Sequence, residues 1–142
     1  RWFVTVASQV APRLDSLVYR LTRGRRLATP ASVPTFFVTT TGRRTGVPRR
    51  VALSYLRRDG DFIVVGTNFG KRATPEWALN LAANPQVQVE MVGEEFRAEA
   101  WAVPIEEQSV LWEAFDAMWP AYAAYRERAT DRPILMFRLV SL

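Results

Sequence analysis

The residues best suited to chemistry lie in the stretch TTTGRRTGVPRR at residues 39–50, which holds four arginines and no acidic residue. The planar guanidinium group of arginine donates paired hydrogen bonds to phosphate and carboxylate groups. Gly42 and Gly46 are expected to adopt positive φ angles, so that the backbone can approach a ligand and point N–H groups at an anion. The pattern therefore predicts an anion-binding turn, whose side-chain donors are Arg43, Arg44, Thr45 and Arg49, with Pro48 stiffening the exit.

The residues leave the identity of the anion open. The turn lacks the Gly-Lys-Ser/Thr ending of a phosphate-binding Walker loop, and it does not match G-x-G-x-x-G. A phosphate-bearing small molecule, a nucleic acid and a solvated hairpin without a ligand remain as alternatives. Residues 1–50 carry ten arginines and one acid, Asp15, within a chain of net charge +5, so this third of the sequence attracts anions, including anionic lipid. A general preference for arginine, with Lys71 the only lysine, explains the residue type but not the clustering.

A second group of candidate residues lies in GTNFGKRATPEWALNL at residues 66–81. A strand end, a glycine-containing loop and a helix start follow one another here, and a helix N-terminus favours anions. Lys71 and Arg72 lie beside it, while Trp77 and Asn80 are one helical turn apart and share a face. Packing of Trp77 in the core is the alternative interpretation.

A third group consists of Trp119, Tyr122 and Tyr125, spaced three residues apart. These rings could form one wall of a flat cavity, with phenol hydroxyls available as hydrogen-bond donors. Ordinary core or surface packing explains the same spacing equally well.

The absence of cysteine and histidine from all 142 residues excludes disulfides, thiolate metal sites, histidine ligands and Ser-His-Asp catalysis. We expect no metal site. An enzyme built on this chain would use carboxylate, Tyr, Ser/Thr, Lys or Arg groups, or the reactivity of a cofactor. No apolar run reaches the length of a membrane span. The first residue is not Met, so a preceding signal or anchor stays open.

Hydrophobic periodicity predicts the elements that position these residues. Residues 2–21 are predicted to form an amphipathic helix interrupted by Pro12, followed by a loop to residue 34. Strands are predicted at residues 35–41, 49–58 and 61–68, with a hairpin turn at Asp59-Gly60. A short helix is predicted next, capped by Thr74, with Pro75 at its first position and Asn84-Pro85 as its stop.

The remaining segments predict strands at 86–92, 96–103 and 133–140, and helices at 106–118 and 121–128. About six mostly antiparallel strands with inserted helices do not follow the alternating order of a Rossmann sheet. We therefore predict an α+β fold in which residues 1–142 form one domain, a small closed or nearly closed barrel with flanking helices.

Three quoted segments, TTTGRRTGVPRR, VVGTNFGKRATPEWALNLAANPQVQV and LWEAFDAMWPAYAAYRERATDRPI, together resemble the deazaflavin-dependent nitroreductase family of actinobacteria, which includes quinone reductases. The match runs in order from about Leu17 to Leu139. The resemblance implies an FMN-binding split-barrel fold and bound coenzyme F420, a hydride carrier with a phosphate and an oligoglutamate tail. FMN is the alternative cofactor, although the basic turn favours the more anionic deazaflavin.

The resemblance also implies roles for individual residues. Those expected to bind the cofactor are Thr41, Arg43, Arg44, Thr45, Gly46, Val47, Pro48, Arg49, Val65, Gly66, Thr67, Asn68, Gly70, Lys71, Trp77 and Asn80. Those expected to bind substrate are Ser54, Phe69, Trp119, Tyr122 and Tyr125. Thr67 and Tyr122 are the expected catalytic residues.

Two departures from the family pattern affect the expected substrate range. The family commonly has Lys-Gly-Gly where this chain has Asn68-Phe69-Gly70, which removes one cation and adds a bulky ring. Ser54 stands where a larger tyrosine can occur, which would reopen space. Lys71 or Arg72 would replace the lost cation.

The expected function is transfer of a hydride from reduced F420 to a small electrophile: a quinone, an enone or a nitro compound. A non-catalytic deazaflavin or lipid carrier, or a polyanion-binding barrel that contacts nucleic acid, are the alternatives; we expect no nucleic-acid partner. We expect a cytoplasmic monomer or weak dimer, with peripheral membrane contact through the helix at 2–21. Packing of that helix on the barrel is the competing interpretation.

Overall fold

The computed structural model describes residues 33–142. The predicted helix at 2–21 and most of the loop after it therefore lie outside the described residues. The strands are β1 (Thr35–Thr41), β2 (Pro48–Ser54), β3 (Leu56–Arg58), β4 (Asp61–Val65), β5 (Gln86–Met91), β6 (Glu94–Ala102) and β7 (Met136–Ser141). The helices are α1 (Glu76–Ala83), α2 (Ile105–Met118) and α3 (Ala121–Arg128), and Asn68–Gly70 forms a single 3₁₀ turn.

The seven strands form one antiparallel sheet in the order β2-β1-β5-β6-β7-β4-β3. Its two edge strands, β2 and β3, are separated along the chain by Tyr55 alone. Since two consecutive Cα–Cα steps span at most about 7 Å, the sheet must curl until its edges nearly meet. This is the α+β split barrel that the sequence predicts.

The number of strands differs from the prediction, because the segment 49–58 is two strands rather than one. Alternation of apolar and polar residues continues through Tyr55, so the sequence gives no sign that the chain leaves one sheet edge and joins the other. Tyr55 secures this crossing: its N–H donates to the Pro34 carbonyl at 3.0 Å, and its ring lies 4.4 Å from Phe36 and 5.2 Å from Phe62.

The barrel interior is filled by side chains from six strands, and α1 adds Ala78 and Leu81 to it. Burial of each large apolar side chain contributes about 1.5–3 kcal/mol relative to exposure. The strand residues of this cluster are Phe36, Val38, Leu53, Phe62, Val64, Val87, Val89, Ala98, Phe137 and Leu139.

Helices α2 and α3 cover the outer face of β4 and β7. Side chains alternate along a strand, so Ile63 and Val65 point away from the barrel interior and pack with Phe115 and Tyr122. The two helices are joined by Arg126, which donates to both carboxylate oxygens of Asp116 at 2.6 Å. β4 is therefore buried on both faces. The segment that follows Val65 lies between α1 and α3.

The predicted turn at Asp59-Gly60 is confirmed, whereas the predicted ends of some strands and helices differ from the structure. Asp59 and Gly60 both have positive φ, 53° and 84°, as the predicted hairpin requires. The predicted third strand ends three residues early, at Val65. Thr74 does not cap α1: Pro75 occupies the N-cap position, no side-chain cap hydrogen bond forms, and the helix begins at Glu76. No helix within residues 33–142 has the length and apolar character needed to cross a membrane.

Gly70 offers a test of how tightly the 3₁₀ turn packs on α3. A Cβ at Gly70 would lie 2.6 Å from Cβ of Arg128, whereas a Cβ at Gly93 would meet nothing within 4 Å, and both glycines have positive φ. We expect Gly93→Ala to lower the free energy of unfolding by about 1 kcal/mol through backbone strain alone. Gly70→Ala should cost about 1–3 kcal/mol more, because the added methyl overpacks the contact. Urea denaturation of both variants measures this difference, and equal losses would contradict the packing.

Candidate active site

The three candidate groups of residues meet around one cavity of about 850 Å³. One side is the β1–β2 hairpin, the second is the segment from the end of β4 to the start of α1, and the third is α3 with the residue before it. The predicted site residues that line it are Arg43, Arg44, Thr45, Arg49, Ser54, Val65, Thr67, Asn68, Phe69, Lys71, Trp77, Asn80, Trp119, Tyr122 and Tyr125. Those that do not are Thr41, Gly46, Val47, Pro48, Gly66 and Gly70.

The hairpin that carries the arginines is closed by its own backbone. Gly42 N–H donates to the Val47 carbonyl at 2.9 Å, and Gly46 N–H donates to the Gly42 carbonyl at 2.8 Å. Gly46 has φ of 71°, as predicted, but the prediction of positive φ at Gly42 is wrong. Gly42 is needed for space instead, because a Cβ there would lie 2.9 Å from the Thr45 hydroxyl oxygen. That oxygen accepts a hydrogen bond from Val47 N–H at 3.2 Å.

Asn80 fixes the hairpin to α1. Its Oδ1 accepts from Arg43 N–H at 3.1 Å and from Arg43 Nη1 at 2.9 Å, and its Nδ2 lies 3.5 Å from the Thr40 hydroxyl. Asn80 is only 3% exposed. The family resemblance implies that Asn80 binds the cofactor; in the structure its amide is bonded to the hairpin, where it positions Arg43.

The same arginine carries an ion pair that the sequence did not predict. Arg43 Nη1 lies 2.6 Å from Oε2 of Glu76, the first residue of α1, and this hydrogen bond lowers the pKa of the Glu76 carboxyl. Glu76 is the only carboxylate among the described residues that line the cavity, against four cations: Arg43, Arg44, Arg49 and Lys71. The cavity wall is therefore positive at its hairpin end.

Arg50, the fourth arginine of the hairpin stretch, lies on the other side of the sheet. Its guanidinium donates to both carboxylate oxygens of Glu90, at 3.1 and 3.0 Å, and lies 3.9 Å above the Phe37 ring. Alternation along β2 separates it from Arg49, which lines the cavity.

The turn after β4 has an unusual backbone. Asn68, Phe69 and Gly70 have consecutive φ values of 49°, 57° and 78°. Asparagine and glycine tolerate this left-handed region, but a bulky residue such as phenylalanine does so at a cost of about 1–3 kcal/mol. The Phe69 ring lies edge-on to Tyr125 with centroids 5.7 Å apart, and the Asn68 amide donates to the Ala73 carbonyl at 2.9 Å. These contacts hold the strained backbone of this turn in place and the Phe69 ring in the cavity wall.

Two glycines expected at the cofactor ring instead pack against helices. A Cβ at Gly66 would lie 3.2 Å from Ala78 and 3.3 Å from Pro75, at the start of α1. Gly70 faces Arg128 of α3 in the same way. Both residues allow the strand end and turn to approach the helices closely, and their absence from the cavity lining is explained by this packing.

One positioning residue was missed altogether. Arg132, between α3 and β7, donates to the backbone carbonyls of Thr67 at 2.7 Å, Lys71 at 3.0 Å and Gly66 at 3.2 Å. Burial lowers the pKa of its guanidinium, which nevertheless stays charged at neutral pH. A single arginine in an irregular segment produces no periodic signal, so sequence reasoning had no means of finding it.

The rings of Trp119, Tyr122 and Tyr125 line the cavity, and they also pack with the apolar cluster between the sheet and helices α2 and α3. The rings of Trp119, Tyr122 and Tyr125 meet edge-on with centroids 5.7–6.1 Å apart, while Tyr122 also packs against Phe115 at 5.1 Å. Burial raises the pKa of Tyr122 to about 12, although a hydrogen bond with Ser54 opposes the shift. At neutral pH Tyr122 is therefore a neutral hydrogen-bond donor. Burial raises the pKa of Tyr125 as well.

Trp77 both packs in the core and lines the cavity, so the structure agrees with both interpretations of this residue. Its ring lies 6.5 Å from that of Phe137 in the barrel, and it lines the cavity from α1.

Within residues 33–142, no group of three or more side chains is placed to hold a metal ion.

Known proteins are similar to the chain over most of its length. The profile of the F420H(2)-dependent quinone reductase family matches residues 11–140. An F420H(2)-dependent quinone reductase of Mycobacterium tuberculosis is 33% identical over 141 residues, covering 94% of this chain and 92% of the relative. A solved F420-H2 dependent reductase superposes with a TM-score of 0.66 at 30% identity, over 75% of this chain and 93% of the other. A domain-swapped dimer superposes with a TM-score of 0.69 at 26% identity, over 87% and 94%.

The raised pKa of Tyr122 predicts how stability changes with alkaline pH. The folded state holds the phenol proton up to pH about 12, whereas the unfolded state releases it near 10. This contribution is complete below pH 10 and is lost as pH rises through 12, amounting to roughly 2–3 kcal/mol. We expect Tyr122→Phe to show a flatter fall in unfolding free energy between pH 10 and 12. Urea titrations of both proteins test this, since their other alkaline groups are the same; parallel curves would refute it.

Proposed function

The chain belongs to the F420H(2)-dependent quinone reductase family and is an F420-dependent oxidoreductase, and we propose that its cavity binds F420 beside a quinone. The observation that carries the proposal is a cavity lined on one side by the arginines of the β1–β2 hairpin and on another by the aromatic rings at α3. A cofactor with an anionic tail and a flat acceptor need these two surfaces side by side.

The residues present fit the cofactor. A volume of about 850 Å³ is in the range of ligand sites, roughly 300–1,000 Å³. Four cationic side chains against one carboxylate suit a molecule with a phosphate and an oligoglutamate tail. Nη1 of Arg43 is already bonded to the Glu76 carboxylate. Arg44 and Arg49 also line the cavity and have no side-chain ion pair among the described residues, so they are the stronger donors for an anionic ligand.

Bound in its reduced form, F420 supplies a hydride. The protein's part is to bring donor and acceptor to near-attack distance, which replaces an encounter in solution by a positioned one. Arg43, Arg44 and Arg49 would hold the anionic portion, while Trp77 packs from α1. This assignment follows from their positions around the cavity.

The acceptor would lie against the aromatic end. Phe69, Trp119 and Tyr125 present ring edges and faces there, which suits a planar quinone. A quinone that gains a hydride becomes a hydroquinone anion, and one proton completes the hydroquinone. Tyr122, protonated at neutral pH, can donate a hydrogen bond to the oxygen that gains negative charge, with the Thr67 hydroxyl as the second candidate. Enones and activated nitro compounds are further electrophiles of this kind.

Titration with F420, followed by reduced F420 with menadione, tests the proposal. We expect micromolar binding and oxidation of the cofactor that depends on menadione. Binding without turnover on a quinone, an enone or a nitroimidazole would favour a carrier. Tighter binding of FMN, or salt-sensitive DNA binding without F420 binding, would contradict the proposed function.

The anion-binding role of the hairpin is tested by replacing Arg43 and Arg44 together with alanine. The loss of two charge-assisted hydrogen-bond donors is expected to raise the dissociation constant of F420 roughly tenfold or more. The Arg50→Ala variant is the matched control, because Arg50 lies in the same stretch but bonds Glu90 on the other side of the sheet. If the double variant and the control bind F420 equally well, the hairpin does not hold the anionic tail.

We further propose that the chain works in the cytoplasm and touches the membrane peripherally. Quinones reside in membranes, and residues 1–50 carry ten arginines and one acid, which favours anionic lipid. Co-sedimentation with vesicles should be stronger for anionic than for zwitterionic lipid and should weaken as salt is raised. Equal recovery with both lipids would contradict the contact.

A further inference from the structure

Arg132 bonds the backbone of a segment that lines the cavity without lining the cavity itself. Its guanidinium bonds the carbonyl oxygens of Gly66, Thr67 and Lys71, yet Arg132 itself is not part of the cavity lining. Planar guanidinium can serve several acceptors at once with fixed geometry. One side chain therefore fixes the orientation of three peptide groups in the segment that carries Thr67, Asn68 and Phe69.

The orientation of a carbonyl determines that of the next N–H. No cis peptide bond occurs in the described residues, and in a trans peptide the C=O and the following N–H point in opposite directions. With the carbonyls of Gly66 and Thr67 turned to Arg132, the N–H groups of Thr67 and Asn68 point away from it. Thr67 and Asn68 both line the cavity, whereas Arg132 does not.

Within residues 33–142, no hydrogen bond uses the backbone N–H group of Thr67 or of Asn68. Thr67 is only 6% exposed, and N–H groups at buried positions are nearly always paired. A pair of adjacent donors at the edge of a cavity matches an acceptor oxygen supplied by a ligand.

We propose that Arg132 is a positioning residue that turns the N–H groups of Thr67 and Asn68 into the cavity, where they bond a carbonyl oxygen of the deazaflavin ring. The inference rests on the proposed function. Arg132 also joins this segment to the chain that follows α3, and Gly70 packs against Tyr125 O and Arg128 of that helix. The segment that carries Thr67 and Asn68 is therefore held both to α3 and to the chain that follows it.

The expected effect is on the chemical step more than on affinity, because the anion-binding hairpin is built from other residues. Arg132→Ala should lower kcat roughly ten- to a hundredfold, the usual effect of misplacing reacting groups. The dissociation constant of F420 should change by no more than about threefold. Arg132→Lys should recover only part of the loss, because one ammonium group cannot reproduce the planar fork. Arg138→Met is the control, since Arg138 pairs with Asp61 at the far end of β4.

Two readouts separate positioning from general destabilisation. Methylguanidinium, but not an equal concentration of methylammonium, should restore kcat to Arg132→Ala. In amide NMR spectra of the wild type, oxidised F420 should move the Thr67 and Asn68 amide protons downfield. In Arg132→Ala those two shifts should be lost, while the amides of Arg44 and Thr45 still respond.

Each result decides the matter. If the wild type binds F420 and turns over but the Thr67 and Asn68 amides do not move, the inference is wrong and the proposed function stands. Equal kcat in Arg132→Ala and the control would also overturn it. If the wild type does not bind F420, the proposed function fails and the inference fails with it. Should Arg132→Ala not fold, the wild-type amide shifts and the Arg132→Lys kinetics still decide.

Discussion

A single buried amide holds the site together. Asn80 bonds the backbone and the side chain of Arg43 and approaches the Thr40 hydroxyl, so one side chain joins the first hairpin to the first helix. Its cost of burial is offset because its oxygen is satisfied by two donors, one of them charged. Within residues 33–142, the other side-chain bond between the arginine hairpin and this helix is the exposed Arg43–Glu76 ion pair, and exposed ion pairs contribute little.

The fold could be predicted from the sequence where local chemistry decides structure. Turn residues such as Asp59-Gly60 and the β-branched strand at 35–41 impose their conformations directly. The break at Tyr55 could not be predicted, because it depends on where the curled sheet brings its edges, which is a property of all seven strands. Thr74 is not the cap of α1, because Pro75 takes the N-cap position and the helix begins at Glu76.

Most residues that line the cavity could be predicted from residue type and spacing combined with the family resemblance. Arg43, Arg44 and Arg49 of the hairpin line the same cavity as the aromatic residues near α3, whereas Arg50 does not. The residues that were missed act through other residues: Glu76 balances Arg43, and Arg132 orients peptide groups that it does not share a segment with. Contacts between distant segments leave no periodic trace in a single sequence. Gly66 and Gly70 lie in a segment that lines the cavity, but they pack against helices and do not line it themselves.

The cavity is lined by two groups of residues that can change separately in evolution: the cationic hairpin, and the aromatic residues, which include Phe69 of the strained turn. The cationic hairpin is a local structure, closed by its own backbone hydrogen bonds between Gly42 and Val47. The aromatic end joins three distant segments, and both departures from the family pattern, Ser54 and Phe69, fall there. Substitutions with no shared contacts have nearly additive effects. A lineage can therefore change the shape of the acceptor end, and with it the molecules that are reduced, while the reagent that supplies the electrons stays the same.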